Sequence, residues 1–235
     1  MKQITANIYQ ISLSIVNVFV IEGNGLTLID TGPAGSADKI FAELKKAGKN
    51  PYNINRIILT HLHSDHTGSA AELKRKLKVP LLAHPADATL IEKGLSSRSG
   101  NGDQPMQLSP GAINWLIYHT FIKRAPKTIE PVKIDELINE NDLIPVAGGL
   151  RIIHTPGHSA GHISVLAKNE GVLIAADSCA NSAGLGLSIL YEDRESGIQS
   201  IRKAASHDFE KAGFGHGKLI MKDAAKQMRQ VFGRI

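Results

Sequence analysis

The chain has 235 residues, 42% hydrophobic and 21% charged, an ordinary globular composition with length enough to bury a core. Its net charge of +5 comes from scattered Lys and Arg, and the densest group, Lys74-Arg75-Lys76 with Lys78, reads as a solvated helix face, not a nucleic-acid surface. Cys179 is the only cysteine and no long unbroken apolar run occurs, which excludes an intramolecular disulfide and argues against a membrane span.

The stretch from Ile11 to Ile21 is broken by Ser12, Ser14 and Asn17 and offers no small-residue cleavage site. It reads as strand and not as a leader, so a cytoplasmic protein is expected. Val16, Val18 and Val20 alternate with Asn17, Phe19 and Ile21, a period of two with both faces partly apolar. Gly23-Asn24-Gly25 predicts a turn, and Leu26-Thr27-Leu28-Ile29 a return strand ending at Asp30-Thr31-Gly32-Pro33. A helix is expected from Ser36 to Ala47, with Ile40, Phe41 and Leu44 inward and Gly48 as its stop. Ile57 to Thr60 predicts a short buried strand, Ser69 to Leu77 a helix, and Val79 to Ala83 another strand.

The second half repeats the theme. Leu150 to His154, Ile163 to Ala167 and Val172 to Ala176 predict strands, the first two flanking Thr155-Pro156-Gly157-His158. Phe209 to Phe214 predicts a last strand, followed by a helix carrying Met221, Ala225, Met228 and Val231. Between the halves, Gly94 to Pro110 is rich in Ser, Gly, Asn and Pro, and an aromatic stretch with Trp115, Tyr118, His119 and Phe121 follows. Residues 94–131 read as an insertion capping a site, with Trp115 and Tyr118 as candidate pocket residues. The competing reading is a structural helix packed on the core. Asn181 to Tyr191 either lines a pocket or packs as a surface loop.

The chemistry concentrates in His61-Leu62-His63-Ser64-Asp65-His66, four potential metal ligands in six residues directly after an apolar run. Imidazole and carboxylate are the ligand types that suit Zn²⁺ and related ions. In an extended segment His61, His63 and Asp65 would share one face and His66 the other, which suits two neighbouring ions better than one. Further ligands must come from elsewhere. His158 lies in a tight turn after a strand, Asp177 ends an apolar strand, and His216 lies between Gly215 and Gly217. Each alone has an ordinary explanation as a turn, capping or loop residue. His162 and His154 read as locally hydrogen-bonded or packed, and Cys179 as a small buried thiol.

Together, HxHxDH, TPGH, an Asp ending a strand and a His near the C-terminus resemble the metallo-β-lactamase fold superfamily. The resemblance spans nearly the whole chain, from the Asn17–Gly32 hairpin to His216, and includes an LIDTG segment at Leu28-Ile29-Asp30-Thr31-Gly32. It implies an α/β protein built as an αββα four-layer sandwich, two mixed sheets flanked by helices, in a single domain over residues 1–235. It also implies that His61, His63 and His158 hold a first metal, Asp65, His66 and His216 a second, with Asp177 bridging and Asp30 orienting the cluster from behind. The cofactors it implies are two Zn²⁺, with Mn²⁺ or Fe²⁺ as alternatives. A hydroxide bridging the two ions would attack a small carbonyl substrate, with Asp65 as the catalytic residue assisting proton transfer, so no Ser or Cys nucleophile is needed.

Departures within the family narrow the substrate. Asp177 stands where zinc β-lactamases of the main class carry Cys, which resembles the glyoxalase II and lactonase-like branch. The stretch after His216 is too short for the C-terminal helical domain of glyoxalase II. Ala180 stands where acyl-homoserine lactonases place a Tyr, which disfavours that activity. The expectation is hydrolysis of a lactone, thioester or other ester-like bond. The alternatives are a mononuclear-iron oxygenase resembling the persulfide dioxygenases, and a phosphodiesterase or nuclease, which the pI near 9.3 favours weakly. The expected partner is a small-molecule substrate. No membrane is expected, nucleic acid is not favoured, and a homodimer is left open.

Overall fold

Strand β3 (Val16–Gly23) shows why two layers must cover the sheet that contains it. Val16, Val18 and Val20 face one hydrophobic cluster, Phe19 and Ile21 another, and all five are buried. A strand apolar on both faces needs cover on both. The computed structural model describes residues 1–98 and 106–233, so residues 99–105 of the expected cap lie outside the described residues.

Before β3 come β1 (Lys2–Gln3) and β2 (Ile8–Leu13), and after it β4 (Gly25–Ile29), neighbours that all pair antiparallel. Helix α1 (Ala37–Lys46) then carries the chain over to β5 (Ile54–Ile58), parallel to β4. The turn of helix α2 (Ser64–Thr67) and helix α3 (Ala70–Leu77) lead to β6 (Leu81–Ala83), again parallel, and α4 (Pro85–Glu92) follows. Parallel neighbours require such crossovers. Strand β5 begins and ends earlier than the expected Ile57 to Thr60, which leaves Leu59 and Thr60 as a short extension toward the histidines.

Residues 94–131 leave the sheet through a narrow neck. Leu95 bridges Thr128, Ser96 N–H donates to Lys127 O at 3.0 Å, and Ile129 N–H to Gly94 O at 2.9 Å. Beyond the neck lie β7 (Gln107–Leu108) and α5 (Ala112–Thr120). No residue of α5 is buried, and Ile113, Trp115 and Leu116 are more than half exposed, so this is not a helix packed on the core. The chain then returns as β8 (Glu136–Leu137), which completes the first sheet in the order β1-β2-β3-β4-β5-β6-β8.

The second sheet starts with β9 (Leu143–Ile144) and continues through β10 (Leu150–His154), β11 (Ile163–Ala167) and β12 (Val172–Ala176). The last three match their sequence-based spans. Short strands β13 (Cys179–Ala180), β14 (Gly186–Leu187) and β15 (Leu190–Tyr191) follow, and β15 pairs with β7. The segment from Asn181 to Tyr191 thereby pairs with the part of the insertion beyond the neck, in a small sheet of its own. Helix α6 (Arg194–Ala205) crosses to β16 (Lys211–Phe214), parallel to β12, and α7 (Ala224–Phe232) closes the chain. Phe209 lies ahead of β16 because its ring is claimed by the cluster between sheet and helices, and Met221 precedes α7 instead of riding on it.

Three clusters define the layers. One lies between the first sheet and α1, α3 and α4. The second joins Phe19, Ile29 and Ile58 of the first sheet to Ile152, Ile163, Val165 and Ile174 of the second. The third lies between the second sheet and helices α6 and α7. The architecture is therefore the expected αββα sandwich. No helix among the described residues is long and apolar enough to cross a membrane.

Candidate metal centre

Asp30 follows β4, the segment from Thr60 to His66 follows β5, Asp177 follows β12 and His216 follows β16, while His158 sits in the turn between β10 and β11. All five segments follow carboxyl ends of strands, so both sheets deliver polar groups to one shared edge. Two non-glycine residues there hold positive φ, Asp30 at 62° and Ala176 at 48°, a conformation that costs on the order of 1 kcal/mol or more.

The extended reading of HxHxDH is corrected at His63. His63 is the last extended residue, with ψ 147°, and α2 starts immediately after it. His66 N–H and Thr67 N–H donate to His63 O at 3.0 and 2.9 Å, and the Thr67 hydroxyl donates there as well. The turn swings Asp65 off the face that His61 and His63 share and places it beside His66. Among the described residues three groups result, each with ligand atoms within 4.8 Å of one another: the triad His61, His63 and His158, the triad Asp65, His66 and His216, and His61, His66 and Asp177 joining the two. Asp177 lies between them, Oδ1 at 3.5 Å from His66 Nε2, and Oδ2 at 3.5 Å from His158 Nε2 and 3.2 Å from His216 Nε2. His216 Nε2 is also 3.2 Å from Asp65 Oδ2.

The outer nitrogens define the tautomers. His66 Nδ1 donates to Asp30 Oδ2 at 2.8 Å, His158 Nδ1 to Leu190 O at 2.7 Å, and His216 Nδ1 to Ile15 O at 2.7 Å. Thr60 donates its hydroxyl to Asp30 Oδ2, so its oxygen accepts from His61 Nδ1 at 3.0 Å. Each of these rings thus turns Nε2 inward. His61 Nε2, His66 Nε2, His158 Nε2 and Asp177 Oδ1 are buried and have no hydrogen-bond partner among the described residues. Leaving such groups unpaired costs about 1–3 kcal/mol each. Four convergent lone-pair donors with their outer atoms pinned fit a divalent cation, and the pinning is the usual support of metal-binding imidazole.

The electrostatics separate the triads. Burial and the neighbouring imidazoles hold His61 well below its ordinary pKa and His158 down at about 4. Burial also opposes charge on His66 and His216, but carboxylates outweigh it. Asp177, Asp65 and Asp30 raise His66 well above the usual range, and Asp177 and Asp65 push His216 up to about 10. Burial works against the Asp177 carboxylate too, yet His216 and His66 hold it well below the carboxylate range. One triad is neutral, and the other gathers negative charge that protons occupy when no cation does.

Residues outside the two triads surround this arrangement. Thr60 links Asp30 to His61. His162, read as locally bonded, also accepts the backbone N–H of Asp177 on Nε2 at 3.0 Å. A Cβ on Gly215 would stand 1.9 Å from Asp177 Oδ1 and 2.7 Å from His66 Cε1, so only glycine fits there. Cys179 is buried in the helix-side cluster and its thiol is pushed up to about 12 by burial. Tyr191 places its hydroxyl on Ser178 O at 2.6 Å. Trp115 is largely exposed and packs on His119, as Tyr118 does.

A sequence model of the Metallo-beta-lactamase superfamily matches residues 11–216. The uncharacterized protein YobT of Bacillus subtilis is 28% identical, covering 92% of this chain and 88% of that one. The probable metallo-hydrolase YflN of the same organism is 27% identical, covering 73% of this chain and 63% of YflN. In fold, the metallo-beta-lactamase GOB-18 from Elizabethkingia meningoseptica superposes with a TM-score of 0.68 at 24% identity, over 91% of this chain and 75% of that one. The chain belongs to the metallo-beta-lactamase superfamily.

Proposed function

From that membership and the geometry of the two triads, we propose that the protein is a metal-dependent hydrolase of a small carbonyl substrate, a lactone, thioester or other ester-like bond. The carrying observation is the set of inward, unpartnered Nε2 atoms with a single carboxylate, Asp177, facing both triads. His61, His63 and His158 would hold one Zn²⁺ and Asp65, His66 and His216 the other, with Asp177 placed to serve either group. The pair of ions, when bound, lowers the pKa of a shared water to about 7 and polarises the substrate oxygen.

The chain's own groups do the rest. His63, Asp65 and His216 are the partly exposed members of the centre, so substrate enters where these three reach the surface. Asp65 takes the proton of the attacking water and returns it to the leaving group. The phenol of Tyr191 is committed to Ser178 O and Ser188 N–H, and position 180 is Ala, which leaves Asp65 as the acid for departure. A thiolate, with a pKa of about 8.5, needs less help from an acid than an alkoxide does, which favours a thioester within the class. The described part of the insertion, residues 106–131, covers the substrate, with Trp115 and Tyr118 among its contacts.

A panel of lactones, thioesters, β-lactams and phosphodiesters, run on protein with quantified metal, tests the reading. About two zinc ions per chain with turnover of a thioester or lactone is the expected result. One iron with oxygen consumption, or turnover of phosphodiesters alone, overturns it.

A further inference from the structure

Asp87 sits in α4, on a different element from every candidate ligand, and is 1% exposed. Its Oδ2 accepts Leu62 N–H at 3.1 Å and the Ser159 hydroxyl at 2.6 Å. Its Oδ1 accepts Gly161 N–H at 2.9 Å and the Arg98 guanidinium at 2.9 Å. Leu62 lies between His61 and His63, and Ser159 follows His158. One buried carboxylate therefore grips both loops that carry the all-histidine triad, and touches no part of the other triad in these contacts.

The grip is close and charged. A Cβ on Gly161 would stand 2.6 Å from Asp87 Oδ1, so the loop can approach the carboxylate only as glycine. Arg98 also donates to Ala86 O and to both oxygens of Glu192, and Glu192 in turn accepts Ala160 N–H at 2.7 Å. Arg98 lies within the neck segment of 94–131, two residues beyond Ser96, which pairs with Lys127. The same guanidinium thus joins the insertion to the His158 loop.

We propose that Asp87 is a positioning residue that sets the distance between the His61–His63 loop and the His158 loop, and that Arg98 couples this hold to the base of the insertion. The inference rests on the ligand assignment proposed above. Outer contacts of this kind are worth 10–100-fold in metal affinity. An amide at position 87 would turn N–H groups toward donors and lose the ion pair with Arg98.

The test measures zinc affinity by chelator competition in two backgrounds that each keep one triad. In His216→Ala, where the all-histidine triad remains, adding Asp87→Asn is expected to weaken zinc about 10–100-fold. In His158→Ala, where the other triad remains, the same change is expected to leave the retained ion's affinity within about twofold. Unchanged affinity in the first background, or equal losses in both, overturns the positioning role alone. If wild type binds no zinc, or His158→Ala keeps both ions at full affinity, the ligand assignment falls and the inference with it. Should Asp87→Asn not fold, Ser159→Ala and Arg98→Met each remove one contact to the same carboxylate. Each is expected to weaken zinc several-fold in the His216→Ala background, and no change in either overturns the proposal.

Discussion

His162 Nε2 accepts the backbone N–H of Asp177 at 3.0 Å, so an imidazole outside both triads holds the residue that faces both. A consistent chain of hydrogen bonds lies behind it. His162 Nδ1 donates to Thr155 Oγ1 at 2.8 Å, Thr155 donates to Ser164 Oγ at 3.1 Å, and Ser164 donates to Ala175 O at 3.2 Å. The chain of bonds leaves and rejoins the same strand end, bracketing Ala176 and its positive φ. Replacing His162 by Leu is expected to lower metal content and to cut activity about 10–100-fold. Metal analysis of the purified variant beside its thermal melt checks this, and wild-type metal loading with wild-type turnover would exclude the role.

Asp177→Ala removes the carboxylate common to both triads. Hydrolysis is expected to vanish and metal content to fall below that of wild type, while circular dichroism shows a folded chain. Full activity with full metal loading would show the two-ion arrangement to be wrong.

Gly215→Ala drives a methyl group into Asp177 Oδ1 and His66 Cε1, with backbone rather than a flexible tip doing the pushing. Overpacking of this kind costs about 1–3 kcal/mol. The expected readout is a lower midpoint in denaturant and weaker zinc retention together. A variant as stable and as metal-loaded as wild type would contradict the close approach.

Metal uptake is expected to release protons. In the metal-free protein burial opposes charge on His216, but Asp177 and Asp65 raise it from 6.5 to about 10, so it is protonated at pH 7 and a cation must displace that proton. Calorimetry of zinc binding in buffers of different ionisation enthalpy should show release that declines as pH approaches 10. The sign for stability follows from the same shift. A raised folded-state pKa stabilises the metal-free chain fully below 6.5, and that contribution is lost as pH rises through about 10. His158, held down at about 4, acts oppositely: its contribution is present above 6.5 and lost as pH falls through about 4. Melting temperatures of metal-free protein across this range read both, and zinc should flatten the alkaline limb.

Trp115 and Tyr118 can be tested without disturbing the core, because α5 buries none of its residues. Trp115→Ala is expected to change stability by no more than about 0.5 kcal/mol. It should leave zinc content unchanged and shift KM for the preferred substrate. If KM and kcat both stay at wild-type values on every turned-over substrate, the segment does not contact substrate through this residue.

The core strands were legible because β12 is an unbroken apolar run and β10 and β11 are short, mostly apolar, β-branched-rich segments bounded by turn residues. The helix from Ala37 to Lys46 was legible from its apolar spacing and its Gly48 stop. Less could be read at boundaries such as Phe209, which packs in the cluster with α6 and α7 ahead of β16, and Met221, which stays exposed before α7 begins.

By itself the sequence offered seven candidate ligands, His61, His63, Asp65, His66, His158, Asp177 and His216, and a family resemblance that implied the layered architecture and the gathering of these residues into one centre, because residue types and spacing carry a motif but not its geometry. The tertiary structure then supplied the physical reason for a division that local spacing alone had put differently. Local spacing put Asp65 with His61 and His63, whereas the helical turn that starts after His63 put it with His66 and His216. The roles of Thr60, His162 and Asp87 were likewise invisible along the chain. Each acts on residues 15 or more positions away, or through a backbone N–H, and a backbone donor leaves no mark in an amino-acid sequence.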